Sequence, residues 1–146
     1  MHAEPTGHSL ERTNERRLLV QLWGEPTRDH VEELAAEVER SLRVPPRVEQ
    51  LLLELSEVRH IDVSTCRSLA RLQRKVGALG IRTAFLAARP RVKGAAWWIV
   101  HAARDPLAMP VPDLPSAEEW LSGSSERLDE VDTSPGRARK ERPREE

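Results

Sequence analysis

The spacing of apolar and polar residues predicts a first strand followed by a helix. Residues 18–23 form a short, largely apolar run that ends at Gly24, as is typical of a strand. Thr27 is predicted to be a helix N-cap, and apolar residues then recur every three or four positions. Two consecutive prolines at 45–46 end this helix. Its predicted buried stripe is Val31, Leu34, Ala35, Val38 and Leu42.

A second strand is predicted over residues 51–55, where three consecutive leucines indicate burial on both faces of a sheet. A second helix is predicted after Asp62, and Gly80 stands where a helix C-terminal glycine is expected. Residues 81–86 are predicted to form a third strand. The apolar stripe of the second helix is Cys66, Leu69, Leu72, Val76 and Leu79.

A third helix is predicted to begin at Pro90, and four prolines between residues 106 and 115 predict an irregular segment. Ser116 and Glu119 are spaced as a capping box that opens a last short helix. The resulting order, strand and helix in alternation, predicts an α/β domain with helices packed on a sheet. The residues expected to dock the last helix are Trp120 and Leu121.

Length and composition suit a single domain with tails. The chain has 146 residues, of which 32% are charged and 38% are hydrophobic. We expect an N-terminal extension over residues 1–15, which could include a first edge strand, and a domain over residues 16–122. Residues 123–146 carry almost nothing apolar, so this segment is predicted to be a disordered charged tail.

Charge and hydropathy narrow the class of partner. The formal net charge of −1 gives no overall attraction to nucleic acid, which is therefore not the expected partner. Residues 95–100 form the longest apolar run, far short of the ~20 residues needed for membrane insertion. With Cys66 as its single cysteine and no signal-peptide pattern, the chain is predicted to be soluble and cytoplasmic.

The chemistry-bearing residues concentrate where the second helix begins. Asp62, Ser64 and Thr65 stand at a helix N-terminus, where free backbone N–H groups favour negative charge and also favour capping side chains. His60 and Asp62 could share a strand face, so a small enzyme that uses them is a remote alternative. No metal-ligand spacing, catalytic triad or phosphate-binding loop is apparent, and we expect no metal, cofactor or catalysis.

Three further features each allow two interpretations. Arg67, Arg71 and Arg74 form a basic helix face that is either a solvated surface or a contact for an acidic partner. Cys66 is either a core residue, the favoured interpretation, or a reactive thiol. Adjacent tryptophans at 97–98 point about 100° apart on a helix. Either both dock the helix onto the sheet, or one is exposed as a binding hot spot.

The order of these motifs resembles the STAS domain, the domain of sulfate transporters and anti-sigma factor antagonists. The resemblance covers residues 16–123 and centres on the segment 58–65, between the leucine-rich strand and the helix that ends at Gly80. It implies a small mixed sheet with helices packed on it and a non-catalytic, partner-switching role. The implied partner is an anti-sigma factor that is also a serine kinase, or another STAS-type partner protein. Phosphorylation directly after the motif's Asp blocks such binding.

The chain departs from that family pattern at two positions. Val63 follows Asp62 and has no hydroxyl to accept phosphate, and Thr65 replaces the usual glycine. Either the acceptor has moved to Ser64 or Thr65, or the loop formed by residues 62–65 binds partners without phosphorylation, which is the favoured alternative. The unphosphorylated domain would then be a constitutive antagonist or an adaptor, stressosome-type or transporter-associated, and homo-oligomers are compatible with either.

Overall fold

A five-stranded sheet forms the centre of the molecule in the computed structural model, which describes residues 5–14 and 16–123. The predicted tail after Gly123 lies outside the described residues. The strands are β1 (Gly7–Asn14), β2 (Arg17–Gly24), β3 (Gln50–Val58), β4 (Arg82–Leu86) and β5 (Ala108–Val111). The helices are α1 (Arg28–Leu42), α2 (Val63–Ala78), α3 (Pro90–Ala103) and α4 (Leu114–Leu121).

The strands lie in the order in which they occur along the chain. β1 pairs with β2 in antiparallel orientation, and the pairs β2–β3, β3–β4 and β4–β5 are all parallel. The first three helices, α1, α2 and α3, connect the parallel strands, as parallel pairing requires a crossover, and α4 follows β5. The prediction of a small mixed sheet with helices packed on it is therefore confirmed.

The leucine run of β3 is buried on both faces of the sheet. Leu51, Leu53 and Leu55 belong to the main core, together with buried apolar residues of α1, α2 and α3; Leu79, predicted to complete the stripe of α2, is instead 51% exposed. Leu52 points to the opposite face and packs in a smaller cluster with Leu121 of α4. Successive strand residues alternate between the faces, so consecutive leucines supply both layers.

The predicted boundaries of the first two helices match the structure. Thr27 caps α1, since its hydroxyl accepts a hydrogen bond from the His30 N–H at 3.3 Å. α2 is capped at its C-terminal end by Leu79, and Gly80 follows with a φ of +76°, in the left-handed region. Glycine adopts that conformation without the steric cost of a Cβ, which explains its place there.

The proline-rich segment after α3 contains a strand that the sequence pattern does not predict. β5 includes Pro110, yet it pairs with β4 along its length. The Leu107 and Val111 carbonyls accept hydrogen bonds from Thr83 of β4 and from Ala87 just after it, so the nitrogen of Pro110 faces away from the ladder. A proline is tolerated there because β5 lies at the edge of the sheet and needs no outward donor.

The predicted capping box at Ser116 is wrong. α4 begins at Leu114, and its N-cap is Asp113, whose Oδ1 accepts a hydrogen bond from the Ser116 N–H at 2.9 Å. Docking of this helix by Trp120 and Leu121 is confirmed, because Leu121 is buried and the Trp120 indole donates to the Thr83 carbonyl at 2.9 Å.

A buried polar cluster joins α2 to the segment between α3 and β5. The Gln73 amide donates to Thr83 Oγ1 at 3.0 Å and to Asp105 Oδ2 at 2.7 Å. The other oxygen of Asp105 accepts from the Leu107 N–H at 2.9 Å. A Cβ at Gly77 would lie 2.6 Å from the Asp105 carboxyl carbon, so this helical position has room only for glycine.

We predict opposite effects of the same substitution at two helical glycines. Gly77→Ala should lower the free energy of unfolding by about 1–3 kcal/mol, because the new methyl group displaces Asp105 from its buried hydrogen bonds. Gly94→Ala should raise it by about 0.5–1 kcal/mol, since a Cβ there meets nothing within 4 Å and alanine favours the helix. Urea unfolding measures both. Equal stabilities of the two variants would contradict the role of Asp105.

Candidate partner-binding site

The loop between β3 and α2 lies at the carboxyl edge of the sheet. Hydrogen bonds with residues near the ends of β2 and β4 fix its position. The Arg59 N–H donates to the Gly24 carbonyl, at the end of β2, at 2.8 Å. The guanidinium of Arg89, the residue between β4 and α3 that precedes α3 directly, donates to the Val58 carbonyl at 3.2 Å. Parallel strands bring these ends together, so the loop starts from a defined position.

Asp62 and Thr65 define the start of α2. Asp62 is the N-cap, and its Oδ1 accepts a hydrogen bond from the Thr65 N–H at 2.8 Å. Hydrogen bonding by Thr65 holds the pKa of the Asp62 carboxyl below its ordinary value, with a smaller contribution from the charge of His60. The buried hydroxyl of Thr65 donates to the Pro26 carbonyl at 3.3 Å and so ties α2 to the end of β2.

Val63 and Ser64 are the residues of this motif that project from the first turn of α2 into solvent. Val63 is 62% exposed, high for an aliphatic side chain, and Ser64 is also exposed. Thr65, in contrast, is completely buried. Of the two candidate phosphate acceptors, Ser64 is therefore the accessible one, because a kinase would reach the Thr65 hydroxyl only by opening its contact with Pro26.

Cys66 is a core residue. It is buried with the main apolar cluster. Burial raises the pKa of its thiol above the ordinary value, and the charge of Asp62 raises it further. The thiolate is the reactive form of cysteine, so the raised pKa argues against the interpretation of Cys66 as a reactive thiol.

The outer side of α2 is basic. Arg67, Arg71 and Arg74 are all exposed, and the Arg74 guanidinium also donates to the Ala102 carbonyl of α3 at 3.0 Å. No aspartate or glutamate occurs between residues 63 and 104. The basic residues of this segment are Arg67, Arg71, Arg74, Lys75, Arg82, Arg89, Arg91, Lys93 and Arg104.

The exposed fractions of Trp97 and Trp98 agree with neither interpretation of the sequence. Both are about half-exposed, at 49% and 45%, so neither is buried and they do not both dock the helix. Val92, Ala96 and Ile99 form the packed side of α3, and the two indoles lie on the opposite side. The spacing of Val92, Ala96 and Ile99 in the sequence already predicts this buried side.

His60 and Asp62 do not form a catalytic arrangement with other side chains in the part of the chain that the structure describes. His60 is exposed, and Asp62 caps α2 by accepting the hydrogen bond from the Thr65 N–H. Within residues 5–14 and 16–123, no three His, Cys, Asp or Glu side chains converge on a point that could hold a metal ion. None of the helices in the same part of the chain combines the length and apolarity required to cross a membrane.

Comparison with known proteins identifies the class. The STAS domain model matches residues 11–96. The chain therefore belongs to the STAS domain family. No curated protein matches the sequence.

Solved structures share the fold at low sequence identity. An anti-sigma factor antagonist from Mycobacterium paratuberculosis is similar with a TM-score of 0.63 and 17% identity, over 82% of this chain and 96% of that one. The anti-sigma factor antagonist SpoIIAA in its unphosphorylated form has a TM-score of 0.57 and 18% identity, over 88% and 98%. Phosphorylated SpoIIAA, a Bacillus cell fate determinant, has a TM-score of 0.58 and 17% identity, over 77% and 98%.

We predict that the Asp62 cap stabilises the domain in a pH-dependent way. Because the folded-state pKa of Asp62 lies below the ordinary value of 3.8, the contribution is fully present above that value. It is lost as the pH falls through the lowered pKa. The difference in unfolding free energy between wild type and Asp62→Ala should be constant from neutral pH downwards and then narrow in strong acid. Urea titrations at a series of pH values measure it.

Ser64→Ala is the matched control for this experiment. Ser64 is the exposed neighbour of the cap, and the structure gives it no capping role. Its stability difference from wild type should not change across the same pH range. A gap for Asp62→Ala that widened in acid would contradict the assigned cap.

Proposed function

We propose that this protein is a non-catalytic regulator of the anti-sigma factor antagonist type, which binds an anti-sigma factor through the start of α2. The observation that carries the proposal is the exposed pair Val63 and Ser64 on a capped, anchored helix start. STAS family membership and the fold shared with anti-sigma factor antagonists support this choice. The proposed compartment is the cytoplasm, where an anti-sigma factor would be met.

The proposed contact surface combines an apolar centre with a basic surround. Val63 supplies exposed apolar area that a partner can cover, and its attachment to a rigid helix start lowers the entropic cost of binding. Arg67 and Arg71 lie one and two turns further along α2 and would face acidic residues of the partner. Arg74 extends the same side towards α3.

We also propose that binding is not switched off by phosphorylation at this motif. In the family pattern the phosphate is added directly after Asp62, where this chain has Val63. A phosphate there would add about −1.5 to −2 charges at neutral pH, and the helix N-terminus tolerates an anion. The domain would stay folded while the partner met new charge. Valine keeps the surface permanently in the uncharged, binding form.

We predict that Val63→Glu prevents partner binding without unfolding the domain. The new carboxylate lies in the first turn of α2, where the helix dipole favours it, so stability should be retained. A partner that covers Val63 would have to bury that charge, and its affinity should fall by about tenfold or more. Wild type and Val63→Glu serve as parallel baits in a pull-down, and quantitative mass spectrometry identifies the anti-sigma factor that the variant fails to retain. Calorimetry with this purified partner then measures the two dissociation constants.

Val44→Glu provides a matched control for this substitution. Val44 is 55% exposed and follows α1, at the end of the domain opposite the start of α2. The same change of residue type at similar exposure should leave binding unaltered. Equal binding by wild type and both variants would refute a contact at Val63.

We predict that the intact mass of the wild-type chain stays unchanged on incubation with ATP and the serine kinase that it binds. Val63→Ser, which places a hydroxyl after Asp62, is the positive control and should gain one phosphate. A phosphate on the wild type that disappears in Ser64→Ala would show that the acceptor has moved to Ser64 and would contradict the proposal. Thr65 is not expected to react because its hydroxyl is buried.

The adaptor alternative differs in assembly rather than in chemistry. A stressosome-type scaffold subunit would form a large homo-assembly, whereas an antagonist acts as a small unit that binds one partner. Size-exclusion chromatography with light scattering separates the two. The enzyme alternative finds no support in the arrangement of His60 and Asp62, since Asp62 is committed to capping.

A further inference from the structure

The outer side of α3 is an uncovered aromatic surface within the described part of the chain. Trp97 and Trp98 are 49% and 45% exposed, and a Cβ at Gly94, one turn earlier, would meet nothing within 4 Å. Indole rings bury a large apolar area when they are covered, so two adjacent exposed tryptophans indicate an interaction surface. This surface is separate from Val63 at the start of α2.

The same side of α3 is basic towards the end of the helix. His101 and Arg104 follow Trp97 at positions i+4 and i+7, and both are exposed. Arg74 reaches this end as well, since its guanidinium donates to the Ala102 carbonyl. Asp105, the acid that follows Arg104 in sequence, is buried and bonded to Gln73. We call Arg74, Trp97, Trp98, His101 and Arg104 the α3 face.

The described chain ends at the edge of the sheet where α3 also ends, although α4 and α3 pack on opposite faces of that sheet. Gly123 lies against Arg82, at the start of β4, because a Cβ there would be 2.6 Å from the guanidinium. Leu107, which follows α3, accepts a hydrogen bond from Trp120 of α4 at 3.2 Å. The sequence beyond Gly123 therefore continues from the edge of the sheet at which α3 also ends.

The first part of that sequence is complementary to the α3 face. Residues 126–132 contain four acids and one arginine, together with Leu128 and Val131 at a spacing of three. At ~3.3 Å per residue, Asp129 can lie up to ~20 Å from Gly123. Trp98 is five residues before the end of α3, or about 7.5 Å along the helix axis. The segment must also pass around the edge of the sheet, because α4 and α3 pack on opposite faces, so residues 129–132, up to ~20–30 Å from Gly123, are the part that can reach the outer side of α3.

We propose that residues 126–132 dock on the α3 face of the same molecule. The indoles of Trp97 and Trp98 cover the apolar side chains of the segment, and Arg74 and Arg104 attract its carboxylates. A linker of a few residues gives a high effective concentration, so a weak contact is populated in cis. The docked segment would cover Arg74 and shield the basic side of α2 and α3 from other acidic ligands. This inference does not depend on the proposed function.

The first test uses two full-length double variants with the same change of charge. Glu126→Lys with Asp129→Lys reverses charge in the proposed docking segment, and Glu145→Lys with Glu146→Lys reverses it at the other end of the tail. The indole N–H resonances of Trp97 and Trp98, assigned with Trp97→Phe and Trp98→Phe, should shift in the first double variant alone. Those of Trp23 and Trp120 should stay in place. Identical spectra of wild type and both variants would overturn the proposal.

The second test places a spin label on Thr133→Cys in the full-length chain; Cys66 is buried and its thiol pKa is raised, so it should stay unlabelled. The label should reduce the indole signals of Trp97 and Trp98, and Glu126→Lys with Asp129→Lys, or about 0.5 M salt, should restore them. In a mixture of labelled ¹⁴N chains with unlabelled ¹⁵N chains the signals should keep their intensity. Loss of the indole signals in that mixture would show that a second copy of the chain occupies the α3 face. Unchanged indole signals in both samples would show that the face binds another acidic partner or nothing. Either result would overturn docking in cis.

Discussion

The burial of β3 on both faces is the constraint on which the rest of the structure depends. Its leucines contact α1, α2 and α3 on one side and α4 on the other, so both layers of the domain rest on one strand. Parallel pairing with β2 and β4 then places the end of β3 between two other strand ends. The start of α2 is held at that edge by contacts with Gly24, Pro26 and Arg89.

Four consecutive residues at this edge divide their tasks between fold and surface. Asp62 and Thr65 are committed to the structure, one as the cap of α2 and the other as the buried link to Pro26. Val63 and Ser64 are left to face solvent. This division explains how the chain can depart from the family pattern after Asp62 without losing the fold. Replacing the usual glycine by Thr65 adds a tie to Pro26, whereas Val63 changes the surface alone.

Much of this fold was predictable because its main elements have strong local patterns. The leucines of β3 and the three-and-four spacing of α2 lie within one element each. Thr27, which begins α1, and Gly80, which follows the cap of α2, lie within two residues of these helices. β5 was not predictable because only four residues form it and one is Pro110. Edge position alone makes that strand tolerable, and edge position is a property of the whole sheet.

The candidate site was less predictable from the sequence than the fold, because its contacts join residues that are far apart in the chain. The sequence predicts a candidate site at the start of α2, but it does not show that Ser64 is exposed and Thr65 buried, because the partner of Thr65 is 39 residues away in sequence. Net charge is also a poor guide to the surface. The whole chain has a net charge of −1, yet the 42 residues 63–104 contain no aspartate or glutamate. The fold gathers much of that stretch into the adjacent helices α2 and α3, and Glu39 of α1 pairs with Lys75 at the border of this basic side. A protein with a net charge of −1 can therefore present one basic side, and it is the local charge of that side that a partner meets.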